Sequence, residues 1–275
     1  MDSENQSSAA LAETGGAHQA AGSRSAPERR RPGRGQTVAL VLLSLAVTGI
    51  LVSVWSRYIT FDSARSRLSP AEHPLFFPIL MIHIVGSTVA IITCVLQVWP
   101  SLRRRRPHIH RISGRLYVFA GIYPAAVSAL VLTFVWPYAP LNAFSDTLTS
   151  VLWLSTTTYG FVLARQGRTA DHRRWMLRSF ALTMSVISNT ILIIPIGWFV
   201  KPLLHSHFAG NEDVMFQVWS GLDVWLGWTV ALLLVEWWLE REQLRRSARR
   251  AAARKARAYD GGERTDGVTV AEVPG

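Results

Sequence analysis

Three histidines are the residues of this chain best suited to chemistry. His83 lies about a third of the way along an apolar run from Leu75 to Trp99. His110 and His172 each open a further run, in the basic phrases His110-Arg-Ile-Ser-Gly-Arg-Leu-Tyr117 and His172-Arg-Arg-Trp-Met-Leu-Arg-Ser179. An ionisable group inside or at the mouth of a membrane span costs about 2–4 kcal/mol unless it is paired or hydrated, so each marks a functional candidate. Two histidines at one depth on facing helices are the minimum for axial ligation of a haem, here of b type. They would also supply two ligands of a zinc site. With a single cysteine, Cys94, in the chain, no metal site is assigned. Arg111, Arg115 and Arg178 suit the propionates of a haem, a lipid phosphate or another anion. The plainer reading of a His-Arg pair at a helix mouth is a snorkelling headgroup anchor. At a rise of about 1.5 Å per residue, His83 sits roughly 12 Å inside its span, too deep for such an anchor. It is either a titrating group at a substrate or proton site or a hydrogen-bonded packing residue.

The spans must position these side chains. Six apolar runs approach the length of about 20 residues that crosses a bilayer: 37–56, 75–99, 114–136, 146–164, 177–199 and 217–238. Helical spacing puts His83, Ser87, Ala90, Cys94 and Gln97 on one face of the second. His110, Gly114, Tyr117, Gly121 and Ser128 share a face of the third. His172, Ser179, Thr183 and Thr190 share a side of the fifth, with Asn189 beside them, and the fourth carries Ser155 to Thr158. A polar and small stripe on a membrane helix normally faces the bundle interior. Spans two to five are therefore expected to share a polar seam, with His83, Ser87, Gln97 and Tyr117 as candidate substrate or proton-site residues. Spans one and six, more uniformly apolar, are expected at the periphery.

The chain is 275 residues long, 49% hydrophobic and 17% charged, with eleven tryptophans and a formal charge of +11. Of 29 Lys and Arg, all but Arg57, Arg65, Arg67 and Lys201 fall on one side of an alternating six-span arrangement. That asymmetry predicts both termini in the cytoplasm. The basic residues then report orientation and contact with anionic lipid headgroups, and no nucleic-acid partner is expected. The predicted organisation is a disordered basic tail (1–36), a six-helix membrane domain (37–238) and a partly helical basic tail (239–275). Trp55, Trp99, Trp136, Trp198, Trp219, Trp237 and Trp238 fall near span ends, as an interfacial aromatic belt would place them. The inner loops, about 100–113 and 165–176, are short. Pro78, Pro124 and Pro195 lie within spans.

Other signals are weak. His108/His110 and His205/His207 offer pairs two residues apart. Asp223 lies near the outer end of its span and is expected to be hydrated or bonded to a neighbouring helix. Asp171 suits the start of the fifth helix, and Arg103–Arg106 reads as a topology signal. There is no phosphate-binding Gly-x-x-x-x-Gly-Lys-Ser/Thr loop, no His-Glu-x-x-His and no Gly-x-Ser-x-Gly, so a single-chain ATP-driven pump is excluded.

The ordered set of His83, Gln97 and the two basic histidine phrases resembles the bacterial predicted membrane proteins called domain of unknown function 2306, over roughly 75–200. The resemblance implies a multi-helix protein of the bacterial plasma membrane and no established activity. A looser architectural similarity is to cytochrome b561-like and ferric-reductase-like haem proteins. It is limited by a fourth span without histidine, so at most one haem is expected. The fold expected is all-α, an integral membrane bundle of six transmembrane helices with helices two to five as its core. The function expected is a membrane protein that binds a small ligand or cofactor at His110, His172, Arg115 and Arg178. Haem-linked electron transfer, with an unnamed redox partner, is the sharpest version. The alternatives are a small-solute or proton-coupled transporter using His83 and a non-catalytic lipid-binding accessory protein. Whether the chain forms homo-oligomers is unassigned.

Overall fold

A computed structural model describes residues 34–62, 73–136 and 140–266, with the side chains of 101, 103, 104 and 257–266 left aside. The expected tail up to residue 33, the Ser69-Pro70 loop, Arg65, Arg67 and the last residues from 267 lie outside the described residues. Residues 1–38 and 39–275 form separate compact units. Of the first unit only 34–38 are described, as the opening turn of a helix, and the packing below belongs to the second.

The described residues are mostly helical and contain no strand. Helix α1 is Arg34–Tyr58, α2 Phe76–Val98, α3 Pro100–Arg105 and α4 Pro107–Arg115. A π-helical segment, Leu116–Ile122, joins α4 to α5, Tyr123–Val135. Then come α6, Pro140–Arg165, and α7, Thr169–Val200. A short 3₁₀ turn, Lys201–Leu203, follows, and α8, Glu212–Asp266, closes the described chain. Pro100 and Pro107 open α3 and α4, where a missing amide hydrogen costs nothing. The expected 100–113 loop is therefore two short helices. Pro124 has no hydrogen to complete an i−4 bond, and the helix widens into a π turn just before it. That turn brings Tyr117, Val118, Gly121 and Ile122 inward together.

Five of these segments are long and apolar enough to cross a membrane: Arg34–Tyr58, Phe76–Val98, Pro107–Val135, Thr169–Leu203 and Glu212–Ala256. The expectation of six is met for five. The fourth run falls in α6, whose buried residues are mostly hydroxylated or small: Ser145, Ser150, Thr156, Thr157, Gly160 and Leu163. It packs against α5, α7 and α8. Several hydroxyls bond back along α6, as Thr147 Oγ1 to Ala143 O and Thr156 Oγ1 to Leu152 O do.

The expected periphery holds for α1, whose only buried residue is Val47. The last span also leaves much of its apolar surface exposed, Leu222, Leu226, Leu233 and Leu234 among it, but packs more than α1 does. Helix α8 runs along α7 and touches α6, burying Asp223 and Trp228. Its tryptophans donate across helices: Trp219 Nε1 to Ile193 O (2.9 Å), Trp225 Nε1 to Leu141 O (3.0 Å) and Trp228 Nε1 to Ser145 Oγ (3.0 Å). In lipid the bare apolarity of a helix does not choose its neighbour; packing and hydrogen bonds do.

The closest helix approach joins α2 to the π segment and α5. A Cβ on Gly121 would lie 2.9 Å from Ala90 Cα, and one on Gly86 would lie 3.0 Å from Ala125 N. Ala90 and Ala125 are fully buried. Two small pairs, each four residues apart, thus interlock. The variant Gly121→Ala is expected to destabilise the purified protein by about 1–3 kcal/mol through overpacking. Gly49→Ala, with nothing within 4 Å of its added Cβ, should leave thermal unfolding in detergent unchanged or slightly improved.

Candidate functional site

The α2–α5 contact sets the depth of His83. Its Nδ1 donates to the carbonyl oxygen of Ala125 at 2.8 Å, which fixes the neutral tautomer with a lone pair on Nε2. That lone pair faces Ser87 Oγ at 3.4 Å, a long contact. Ala125 O also accepts from Ser128 Oγ (3.0 Å). Within spans two to five the sequence offered no obvious partner for His83 at its own depth, and the structure supplies a main-chain carbonyl next to Pro124. Sequence spacing could not reveal it, because any residue carries a carbonyl.

The middle of the seam is a closed chain of hydroxyls. Tyr117, 1% exposed, reaches Ser179 Oγ (2.6 Å) and Thr183 Oγ1 (2.7 Å). Thr183 donates to Ser179 O (2.8 Å) and accepts from Trp153 Nε1 (3.0 Å). With its only hydrogen so used, Thr183 must also accept from Tyr117, and Tyr117 accepts from Ser179. Ser179 in turn accepts from Thr157 Oγ1 (2.6 Å). Every donor has one acceptor. The network ties the π segment to α6 and α7, with Cys94 of α2 packed in the same buried cluster. Thr157 belongs to the Ser155 to Thr158 stretch expected in the seam, whereas Trp153 had not been singled out from the sequence. Trp153 lies within the fourth run, away from the ends that an aromatic belt would favour.

At the basic end, Gln97 spends both amide hydrogens on α4, donating to His110 O (2.8 Å) and Ser113 Oγ (2.6 Å). It holds α4 against the end of α2, beside Gly114. The His110 ring is half-buried. His172, also half-buried, donates from Nδ1 to Gly160 O of α6 at 2.8 Å, again leaving the lone pair on Nε2. His110 is thus tied through its carbonyl to α2, and His172 through its ring to α6. Arg115 and Arg111 are exposed. Arg178 is engaged: its guanidinium forms a two-pronged pair with Glu236 of α8 and lies 4.6 Å over the Trp175 ring. One turn further out, Arg173 pairs with Glu242 (2.8 Å) and stacks on Trp238. Glu236 was missed in the sequence; an acid near the basic end of the last apolar run was the available signal. Asp171 pairs with Arg168 (2.7 Å) and makes no cap bond to its helix. Among the described residues no group of three or more His, Cys, Asp or Glu side chains could hold a metal ion.

A family model described as "Predicted membrane protein (DUF2306)" matches residues 80–239, and the chain belongs to that family. The match spans every element from α2 to the apolar part of α8. No curated protein and no solved structure matches the chain.

The hydroxyl chain predicts a measurable cost. Tyr117→Phe leaves Ser179 without its acceptor and Thr183 short of one donor in a dry core. Thermal unfolding in detergent should register a loss of about 1–3 kcal/mol. An unchanged unfolding temperature would mean that the chain contributes nothing net.

Proposed function

We propose that this membrane protein of the DUF2306 family is a six-span bundle that binds a small ligand or cofactor at its basic end through His172 and His110. Helix α6, with 26 residues, is long enough to serve as the sixth crossing at about 1.5 Å per residue. Its polar buried face suits the core made by the second to fifth spans. One observation carries the reading: the bond from His172 Nδ1 to Gly160 O. A ring held in that way presents Nε2 as a lone pair in a fixed direction, the state that a metal-centred ligand takes.

The sharpest form is a single b-type haem between His172 and His110. The donor set fits in part. His172 has the right tautomer, and the exposed Arg111 and Arg115 suit two propionates. Arg178, bound to Glu236, serves instead to hold α8 against α7. Haem would supply one-electron chemistry. The chain would supply ligation, burial and charge at the ring edge, which set the potential. A second reading rests on His83 Nε2, met only by a long contact from Ser87. There a proton-coupled carrier would use the imidazole as its titrating group. His83→Asn keeps a donor for Ala125 O and removes the titration. It should abolish proton uptake into proteoliposomes under that reading alone.

The test of the first reading is an absorption spectrum of detergent-purified protein from haem-making cells, oxidised and then reduced with dithionite. A Soret band that shifts on reduction and disappears in His172→Ala and His110→Ala is the expected result. A featureless visible spectrum at high purity sinks the haem form.

Orientation is tested separately. With both termini cytoplasmic, in a Cys94→Ser background, Arg245→Cys should react with an impermeant maleimide only in inverted vesicles. His205→Cys should react only in intact cells. The reverse pattern would overturn the orientation that the basic residues predict.

A further inference from the structure

The outer surface of the bundle carries one hydroxyl pair that behaves unlike its neighbours. Thr48, Ser155 and Thr190 are exposed, and each donates to the carbonyl one turn back: Ser44 O (2.8 Å), Val151 O (2.7 Å) and Val186 O (2.8 Å). Their hydrogens are spent, and nothing is asked of the lipid. Thr158 of α6 is exposed as well, but among the described residues its one bond runs sideways, to Tyr123 Oη at 3.1 Å. Two hydroxyls carry two hydrogens, and the bond between them uses one, whichever donates. One hydrogen is left over, with no acceptor among the described residues.

The pair sits in an aromatic setting. Phe119, 53% exposed, meets the Tyr123 ring edge-on at 5.5 Å and the Phe161 ring edge-on at 5.3 Å. Phe119 and Tyr123 belong to the π segment and the start of α5, Thr158 and Phe161 to α6. The four residues line the junction of the two helices from both sides. Depth narrows what can meet the spare hydrogen. Arg115 and Arg165, both exposed, mark the headgroup level at the basic end. Tyr123 and Thr158 lie about 10 Å further in along their helices. The interfacial layer is about 5–8 Å thick on each side, so the pair stands in hydrocarbon, where water and phosphate do not reach. An acceptor at that depth must itself dissolve in hydrocarbon, and the exposed Phe119 ring favours one carried on a flat face. A quinone ring with an apolar tail has both features.

We propose that the lipid-facing junction of the π segment and α6, formed by Phe119, Tyr123, Thr158 and Phe161, binds the ring of a lipid-soluble quinone. One quinone carbonyl accepts the hydrogen that Tyr123 and Thr158 leave over, and the ring lies against Phe119. The site shares no residue with the histidine sites. It rests on α6 being the sixth crossing, as proposed above.

The test is equilibrium binding of tritiated decylubiquinone to the full-length protein in lipid nanodiscs, with empty discs subtracted. Saturable binding is the expected result. The double variant Tyr123→Phe with Thr158→Val, nearly isosteric, should weaken it about tenfold, the worth of one hydrogen bond in an apolar medium. Phe119→Ala should also weaken binding, which covers the case in which the double variant fails to fold. Thr48→Val, which removes a lipid-facing hydroxyl elsewhere, should change nothing. No saturable binding by the wild type, or wild-type affinity in a folded double variant or in Phe119→Ala, overturns the proposal. A pair met instead by a phospholipid ester or by a second copy of the chain would give the first of those results. Depth is read separately: Thr158→Cys, in a Cys94→Ser background, should resist a water-soluble maleimide in vesicles. Labelling there would overturn the sixth crossing and the site with it, whereas protection without quinone binding overturns the site alone.

Discussion

Lipid offers no partner to a polar group, and that constraint organises the whole protein. Each hydroxyl, amide or imidazole on a membrane helix must find its acceptor within the chain. Many of the serines and threonines solve this locally by bonding to the carbonyl one turn back, as Ser44, Thr88, Thr93 and Thr147 do. The others must reach another helix, and those reaches decide which helices are neighbours. Tyr117 ties the π segment to α7, Thr157 brings in α6, and Gln97 clamps α4 onto α2. Apolar burial alone would not distinguish these arrangements, since a leucine is as comfortable against lipid as against leucine.

Close approach makes the longer reaches feasible. Gly86 and Ala90 against Gly121 and Ala125 let α2 meet the π segment and α5 nearly backbone to backbone. Only at that separation does the short imidazole of His83 reach Ala125 O. The π turn before Pro124 carries Tyr117 and Gly121 among its buried residues.

The basic end follows a second logic. Arg173 and Arg178 are drawn from the headgroup-facing set by Glu242 and Glu236, and both also lie over tryptophan rings. These pairs fasten α8 to α7 where the helices leave the apolar layer. Ion pairs exposed to water would be worth little there. At a membrane boundary, with one partner partly buried, the geometry matters more than the energy of any one pair. The remaining arginines, Arg111 and Arg115 among them, stay exposed and available to anions.

The sequence by itself determined the class of protein. Recurrent apolar runs near bilayer length dictate membrane helices, and the one-sided distribution of arginine marks a basic end. Helical spacing also placed His83, Gln97, Tyr117 and Ser179 on inward faces, because periodicity is a property of one helix. It could not show which helices α6 packs against, nor that α8 runs along α7. Spacing gives a side chain's direction but not what it meets. Only the tertiary structure gave His83 a main-chain carbonyl, gave Arg178 a glutamate, and gave Trp228 the Ser145 hydroxyl. Each of those pairings joins residues from separate helices, and it exists only once packing has fixed the register between them.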